Sequence, residues 1–99
     1  MYARTITFHY QSGKMDEALH LLREKVGPEI QQQPGFQGVT NLVDRDNNKA
    51  ISITLWDTNS ALQSSGMGKL QTRFALINTL LAAPPIVEIY EITDDQRYQ

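Results

Sequence analysis

The pattern of hydrophobic and polar residues near the start of the chain changes from a period of two to a helical period. Residues 3–11 alternate with a period of two, with Arg4, Ile6, Phe8 and Tyr10 on one side and Thr5, Thr7 and His9 on the other. This period, carried by β-branched and aromatic residues, predicts a strand. From Met15 the period becomes helical, with an apolar stripe at Ala18, Leu19, Leu22 and Val26. Gly27-Pro28 interrupts the stripe, and proline lacks the N–H of a continuing helix, so we expect a bend and a short second helix over Pro28–Gln33.

The rest of the chain predicts three more strands and two more helices. Phe36–Val43 and Ile51–Trp56 have strand patterns and are joined by "DRDNNK", which is typical of a hairpin loop. Either Asp57 or Thr58 can cap a short helix through Gln63. A longer helix is predicted over Leu70–Ala82, with the stripe Leu70, Phe74, Ile77 and Leu81. Pro84-Pro85 ends it, and Ile86–Thr93 is the last predicted strand.

The order strand, helix, strand, strand, helix, strand predicts an α+β, ferredoxin-like βαββαβ fold. Its four-stranded antiparallel sheet carries the helices on one face. A chain of 99 residues has the length of one domain, so we expect residues 1–99 to form a single domain.

The last predicted strand is apolar on both faces. Val87 and Ile89 point one way, whereas Ile86, Tyr90 and Ile92 point the other. Since helices cover only one face of such a sheet, a second apolar face predicts an interface, and we expect a homodimer formed through the sheet. The alternative is an edge strand whose outer face is covered by the tail or loops of the same chain.

Composition excludes several classes of function. The formal net charge is −2 and no basic stripe is present, which argues against nucleic-acid binding. The chain has no cysteine, so disulfides, zinc–thiolate sites and cysteine nucleophiles are excluded. No signal pattern and no run of about 18 apolar residues occurs, so we expect a cytoplasmic protein without a membrane segment.

Four quoted stretches together resemble a known family. "YARTITFHYQ" leading to "GKMDEAL", then "PGFQG", then "SITLWDTNSAL" resembles the antibiotic biosynthesis monooxygenase-like branch of the dimeric α/β-barrel superfamily. The resemblance covers nearly the whole chain. It implies a homodimer whose two sheets pack face to face, with a pocket between sheet and helices in each subunit. It also implies chemistry in which oxygen attacks a substrate-derived carbanion, with no flavin or metal cofactor.

The resemblance also suggests which residues form the pocket. The family tryptophan in the pocket matches Trp56, while relatives have an asparagine four residues earlier, where this chain has Ser52. Haem-degrading relatives need a histidine on the last long helix, and "GKLQTRFALINTLL" has none. They also have an asparagine seven residues before the glycine that matches Gly13, where this chain has Ile6. Both absences argue against haem degradation.

The candidate substrate-binding residues follow from this alignment, from the strand faces and from the helix residues expected to border the pocket. They are Ile6, Phe8, Tyr10, His20, Ser52, Thr54, Trp56, Arg73 and Phe74.

Most candidates also have a purely structural interpretation. Trp56 either lines the pocket, where its indole would stack on a flat ligand, or fills the core under a short helix. Tyr10 and Arg73 either donate to a ligand or extend their polar ends to water. Ser52 and Thr54 either bind ligand or pack as small strand residues.

The chain contains two histidines. His9 and His20 lack metal-ligand spacing, and we expect both to be structural or exposed, His20 being the better candidate if a base is needed.

The resemblance therefore implies a cofactor-independent monooxygenase acting on a small aromatic or quinol-type compound, with no catalytic residue assigned and no metal site. The alternative is a homodimer of the same fold that binds a small molecule without catalysis or is purely structural.

Overall fold

The computed structural model describes residues 1–66 and 69–96, and these residues form four strands and four α-helices. The strands are β1 (Tyr2–His9), β2 (Phe36–Asp44), β3 (Lys49–Trp56) and β4 (Ile86–Glu91). The α-helices are α1 (Met15–Leu21), α2 (Gly27–Gln31), α3 (Asn59–Gly66) and α4 (Lys69–Ala75). A π-helical turn over Leu22–Val26 joins α1 to α2, and 3₁₀ turns lie at Arg45–Asn47 and Asn78–Leu80.

The four strands form one antiparallel sheet in the order β2-β3-β1-β4. β1 lies in the interior of the sheet and pairs with both β3 and β4. This order, with helices inserted after β1 and β3, is the ferredoxin-like arrangement, so the predicted α+β fold is confirmed.

The inner face of the sheet packs against the helices. The register places Ile6 opposite Ser52 and Phe8 opposite Ala50, so their side chains share a face. The main core combines inner-face residues with helix residues: Ile6, Phe8, Tyr10, Met15, Ala18, Ala50, Ile77, Leu80 and Leu81. A second, smaller core holds Ile30, Trp56 and Leu62.

The outer face of the sheet is apolar and only partly covered by the chain itself. Ile51, Ile53 and Leu55 of β3 are half-buried. At the two edges, Leu42 of β2 and Ile86 and Tyr90 of β4 are each nearly half exposed. Every residue of β4 is exposed in the single chain. The described part of the tail therefore does not cover this strand, contrary to the alternative of a covered edge.

The predicted helix over Leu70–Ala82 is too long, because α4 ends at Ala75. After it, Ile77 N–H donates to the Phe74 carbonyl, an i−3 bond that tightens the backbone. The chain then forms bonds with the end of β1: Leu81 pairs with Tyr10, and Ala82 N–H donates to the His9 carbonyl at 2.7 Å. These strand-like bonds replace the helical ones, although Ile77 and Leu81 stay in the core.

The interruption predicted at Gly27-Pro28 takes the form of a widened turn. Gly27 N–H donates to the Leu22 carbonyl five residues earlier, and the helix continues through Pro28 to Gln31. Because proline has no N–H, the wider turn just before it absorbs the mismatch in the helical ladder.

The cap of α3 is decided by a hydrogen bond. Ala61 N–H donates to Thr58 Oγ1 at 3.0 Å, so Thr58, and not Asp57, is the side-chain cap. Within residues 1–66 and 69–96, no helix combines the length and apolar character that spanning a membrane requires.

Candidate functional site

A cavity of about 420 Å³ lies between the inner face of the sheet and the helices. Its apolar wall is formed by Ile6, Phe8, Leu19, Leu22, Leu70 and Phe74, among others. Phe8 and Phe74 meet edge to face, with ring centroids 5.9 Å apart. Leu22, Val26 and Gly27 reach the wall from the π-helical turn and its end. The volume and the aromatic lining suit a flat small molecule.

Arg4, on the inner face of β1, is a charged group buried in this wall. It is 2% exposed, and its Nη2 donates to the Leu62 carbonyl and to Ser65 Oγ, the latter at 2.9 Å. Its Nε and Nη1 have no hydrogen-bond partner among the described residues. Burial, and secondly the charge of Arg73, lowers the pKa of Arg4 below its ordinary value.

Arg73, on α4, is the second buried arginine of the wall. It is 4% exposed, and its Nη2 lies 3.3 Å from Oε1 of the half-exposed Glu29. Its Nη1 donates to the Ser65 carbonyl at 3.4 Å, and its Nε has no partner among the described residues. Ser65 therefore bonds both arginines and holds them at the same end of the cavity. The alternative in which Arg73 extends its polar end to water is therefore wrong, because the side chain is buried.

The described lining is basic and has no acidic side chain. Arg4 and Arg73 lie inside, and Arg23 and Arg45 lie in exposed positions of the wall. Arg45 is paired with Asp16 at 3.0 Å on the surface. In a chain of net charge −2, this concentration of guanidinium groups makes the cavity locally positive.

Tyr10 contributes a buried hydroxyl to the wall. The residue is 2% exposed, so the alternative in which its hydroxyl extends to water is wrong. Its hydroxyl has no partner among the described residues, and burial raises the pKa of Tyr10 to about 12. The phenol is thus a neutral hydrogen-bond donor at physiological pH.

Trp56 does not line the cavity as the structure describes it. Its side chain is fully buried in the second core, edge to face with Phe36 at 5.5 Å between centroids. Its Nε1–H donates to Thr54 Oγ1 at 2.9 Å. The guanidinium carbon of Arg4 lies 5.7 Å from the indole centroid. The indole therefore supports the cavity wall from behind, through Arg4 and Thr54.

Seven of the nine candidate residues come together in the wall: Ile6, Phe8, Tyr10, Ser52, Thr54, Arg73 and Phe74. Ser52 is half-buried, and Thr54 is buried and accepts the indole N–H. His20 is not part of the wall, because it lies exposed near the end of α1. His9 is half-buried on the opposite face of β1.

Arg4 is the residue that the sequence-based selection missed. It belongs to the same alternation as Ile6 and Phe8, and that alternation alone places a charged side chain on the face that the helices cover. A charge among core positions was the available signal, since arginine is seldom buried without a partner.

No metal site is found in the part of the chain that the structure describes. No three histidine, aspartate or glutamate side chains there converge closely enough to hold an ion.

Comparison with known proteins identifies a family model and a related sequence that match this chain, and solved structures with a similar fold. Residues 1–67 match the family model described as antibiotic biosynthesis monooxygenase. The uncharacterised protein Rv2557 of Mycobacterium tuberculosis is 32% identical over 94 residues, which cover 93% of this chain. The chain spans 41% of the length of that relative.

Two solved structures share the fold. A monooxygenase from the gene ActVA-Orf6 of Streptomyces coelicolor, in complex with nanaomycin D, has a TM-score of 0.80 at 17% identity, over 99% of this chain and 92% of that one. A mutant of SnoaB, a cofactor-independent oxygenase from Streptomyces nogalater, has a TM-score of 0.79 at 16% identity, over 95% of this chain and 94% of that one.

Proposed function

The chain belongs to the antibiotic biosynthesis monooxygenase family, and from this we propose that it binds a flat phenolic or quinol-type compound in its cavity and oxidises it with dioxygen. The fold of a neighbour described as a cofactor-independent oxygenase, and of another bound to nanaomycin D, supports this assignment. No flavin or metal is part of the proposed reaction.

The observation that carries the proposal is the combination of aromatic walls with buried, unpartnered donors. Phe8 and Phe74 provide surfaces for a planar ring. The Tyr10 hydroxyl has no protein partner in the described chain and is available to a ring oxygen of the ligand. Ser52 replaces the asparagine of relatives, so it offers one donor with a shorter reach.

The proposed chemistry balances without a cofactor. An anthrone-type substrate loses a proton to give a delocalised carbanion, which supplies the electrons for attack on dioxygen. One oxygen atom becomes the new carbonyl, and the other leaves as water with the two hydrogens of the reacting carbon. The described wall contains no histidine, aspartate or glutamate. The proposal therefore requires a substrate acidic enough to ionise while the cavity donors stabilise its anion.

We further propose that the working unit is a homodimer in which the outer sheet faces pack together. The half-buried Ile51, Ile53 and Leu55, flanked by exposed apolar edge residues, support it. These residues lie on one face of the sheet, and apolar side chains grouped on one exposed face are typical of an interaction surface.

Oxygen consumption by the purified protein tests the reaction. With anthrone and air, we expect wild type to consume oxygen and form the quinone, and Tyr10→Phe to slow turnover by about ten- to a hundredfold, since one donor is removed. Ser52→Ala is expected to have a smaller effect. Lys25→Gln, which changes an exposed residue outside the cavity wall, serves as the control. Turnover unaffected by Tyr10→Phe and Ser52→Ala would contradict the proposed site.

The second candidate function is binding without catalysis, and the lack of a titratable base in the described wall favours it. Saturable binding of anthrone-type compounds with no oxygen consumption would select this alternative.

A further inference from the structure

One end of the cavity contains more hydrogen-bond donors than the protein uses. Arg4 has free donors at Nε and Nη1, and Arg73 has one at Nε, within the described chain. Both guanidinium groups are more than nine-tenths buried. A buried charge is costly unless it is paired and its donors are satisfied. These donors therefore point to an oxygen-rich, negatively charged ligand group.

The net charge of the side chains at this end of the cavity indicates how much negative charge the ligand group carries. Two guanidinium groups share this end. The carboxylate of the half-exposed Glu29 is paired with Arg73, and no ion pair of Arg4 is found among the described residues. One positive charge therefore remains without a counter-ion within the described residues. A single carboxylate matches it, whereas a doubly charged phosphate exceeds it.

Several contacts hold Arg4 in place before any ligand binds. Leu62 and Ser65 accept hydrogen bonds from its Nη2, and the indole of Trp56 lies against the guanidinium. A charge held this way loses little side-chain freedom on binding, which favours affinity.

We propose that Arg4 and Arg73 form a carboxylate-binding site, so that the ligand of this cavity is a flat aromatic acid. The ring system is taken from the proposed function, on which this inference rests. The acid group lies at the Arg4 end, and the rings extend along Ile6 and Phe8 toward Tyr10. Arg4 and Tyr10 are six residues apart on one face of β1 and its end, which is about 20 Å along a strand.

Calorimetric titration with 2-naphthoate and the isosteric, neutral 2-naphthamide tests this site without any turnover. We expect wild type to bind the acid at least about tenfold more tightly than the amide, because the acid gains charge-assisted hydrogen bonds. Equal affinities for acid and amide would overturn the inference. Displacement of naphthoate by inorganic phosphate at equal concentration would overturn the carboxylate assignment.

Two variants test whether the preference for the acid depends on the two arginines. Arg73→Gln should remove most of the preference for the acid and leave amide binding unchanged. Gly66→Ala keeps both charges but places a methyl group 2.9 Å from Arg4 Nη2, so the guanidinium must shift and the preference should fall by a few-fold. Lys25→Gln removes an exposed charge outside the wall and is the matched control. Circular dichroism verifies folding, and a preference unchanged in folded Arg73→Gln contradicts the site.

The two proposals fail separately. Preferential acid binding without oxygen consumption would remove the monooxygenase assignment and keep the arginine site. Oxygen consumption with no preference for acids would remove the arginine site and keep the monooxygenase assignment.

Discussion

At the scale of single residues, the site depends on side chains whose neighbours change what they can do. The only tryptophan of the chain does not contact the cavity, yet it supports Arg4 and satisfies its own N–H on Thr54. The strand pattern predicted over Ile51–Trp56 places Trp56 and Thr54 on one face, and the register agrees with it. The pattern did not indicate that the indole lies behind the wall, because that depends on how α2 and α3 close over it through Ile30 and Leu62.

Tyr10 gives a prediction at this scale. Its pKa is about 12 in the folded protein, whereas an unfolded tyrosine titrates near about 10. Above the lower value the unfolded chain loses a proton that the folded chain retains, so stability should be unaffected below about pH 10 and fall until about pH 12. Tyr10→Phe should flatten this decline. Thermal unfolding followed by circular dichroism across that range measures it, and equal slopes for the two proteins would refute the burial of the hydroxyl.

At the scale of elements, the strands were far more predictable than the helices. A period of two is set by the pleat itself, so β1 and β3 were found to within two residues at each end. The apolar residues Ile77 and Leu81 of the predicted stripe do lie in the core. However, Ile77 lies just before a 3₁₀ turn and Leu81 lies at a bridge, and neither is in a helix. The period of the sequence pattern indicates which residues are buried. The backbone conformation of this segment depends instead on its hydrogen bonds with His9 and Gln11, which compete with helical ones.

The turn before β2 supports a second prediction. Gly35 has φ +82°, and a Cβ there would lie 2.5 Å from both Ala61 Cβ and Asp57 Oδ1. Gly13 has a similar φ, +78°, with nothing within 4 Å. Gly13→Ala should therefore cost about 1–2 kcal/mol of backbone strain. Gly35→Ala should cost about 1–3 kcal/mol more, from overpacking.

Urea unfolding of the two glycine variants measures the difference. Since the φ angles of Gly13 and Gly35 are nearly the same, each variant controls for the other. Equal losses of stability would mean that the loop before β2 can move away from α3, and the close packing of Gly35 would then have no energetic role.

At the scale of the whole molecule, charge and apolar surface are distributed unevenly. An acidic chain concentrates arginines around its cavity, while the outer face of its sheet remains apolar. The cavity faces the helices and the apolar surface faces away from them, so ligand binding and the proposed dimer use opposite sides of the sheet. Neither property can be obtained from net charge or average hydrophobicity, because both depend on which face each residue occupies.

The proposed dimer can be tested with two leucines of nearly equal exposure. Leu42 lies on the outer sheet face at 47% exposure, whereas Leu76 follows α4 at 45%. Leu42→Asp should convert the dimer to monomer at micromolar concentration, because an unpaired charge would be buried at the interface. Leu76→Asp should leave the mass unchanged. Light scattering coupled to size-exclusion chromatography gives both masses, and a wild type eluting as monomer would remove the proposal.

The position of β1 in the sheet has a consequence for biosynthesis. β1 and its end supply Arg4, Ile6, Phe8 and Tyr10 to the cavity, but β1 also pairs with β4, and Ile92 N–H donates to the Met1 carbonyl. Because the ribosome makes β1 well before β4, one edge of β1 must wait for a much later segment before it is paired. Contacts so distant along the chain form slowly, so β1, the strand that supplies these wall residues, is paired on both edges only after β4 has been synthesised.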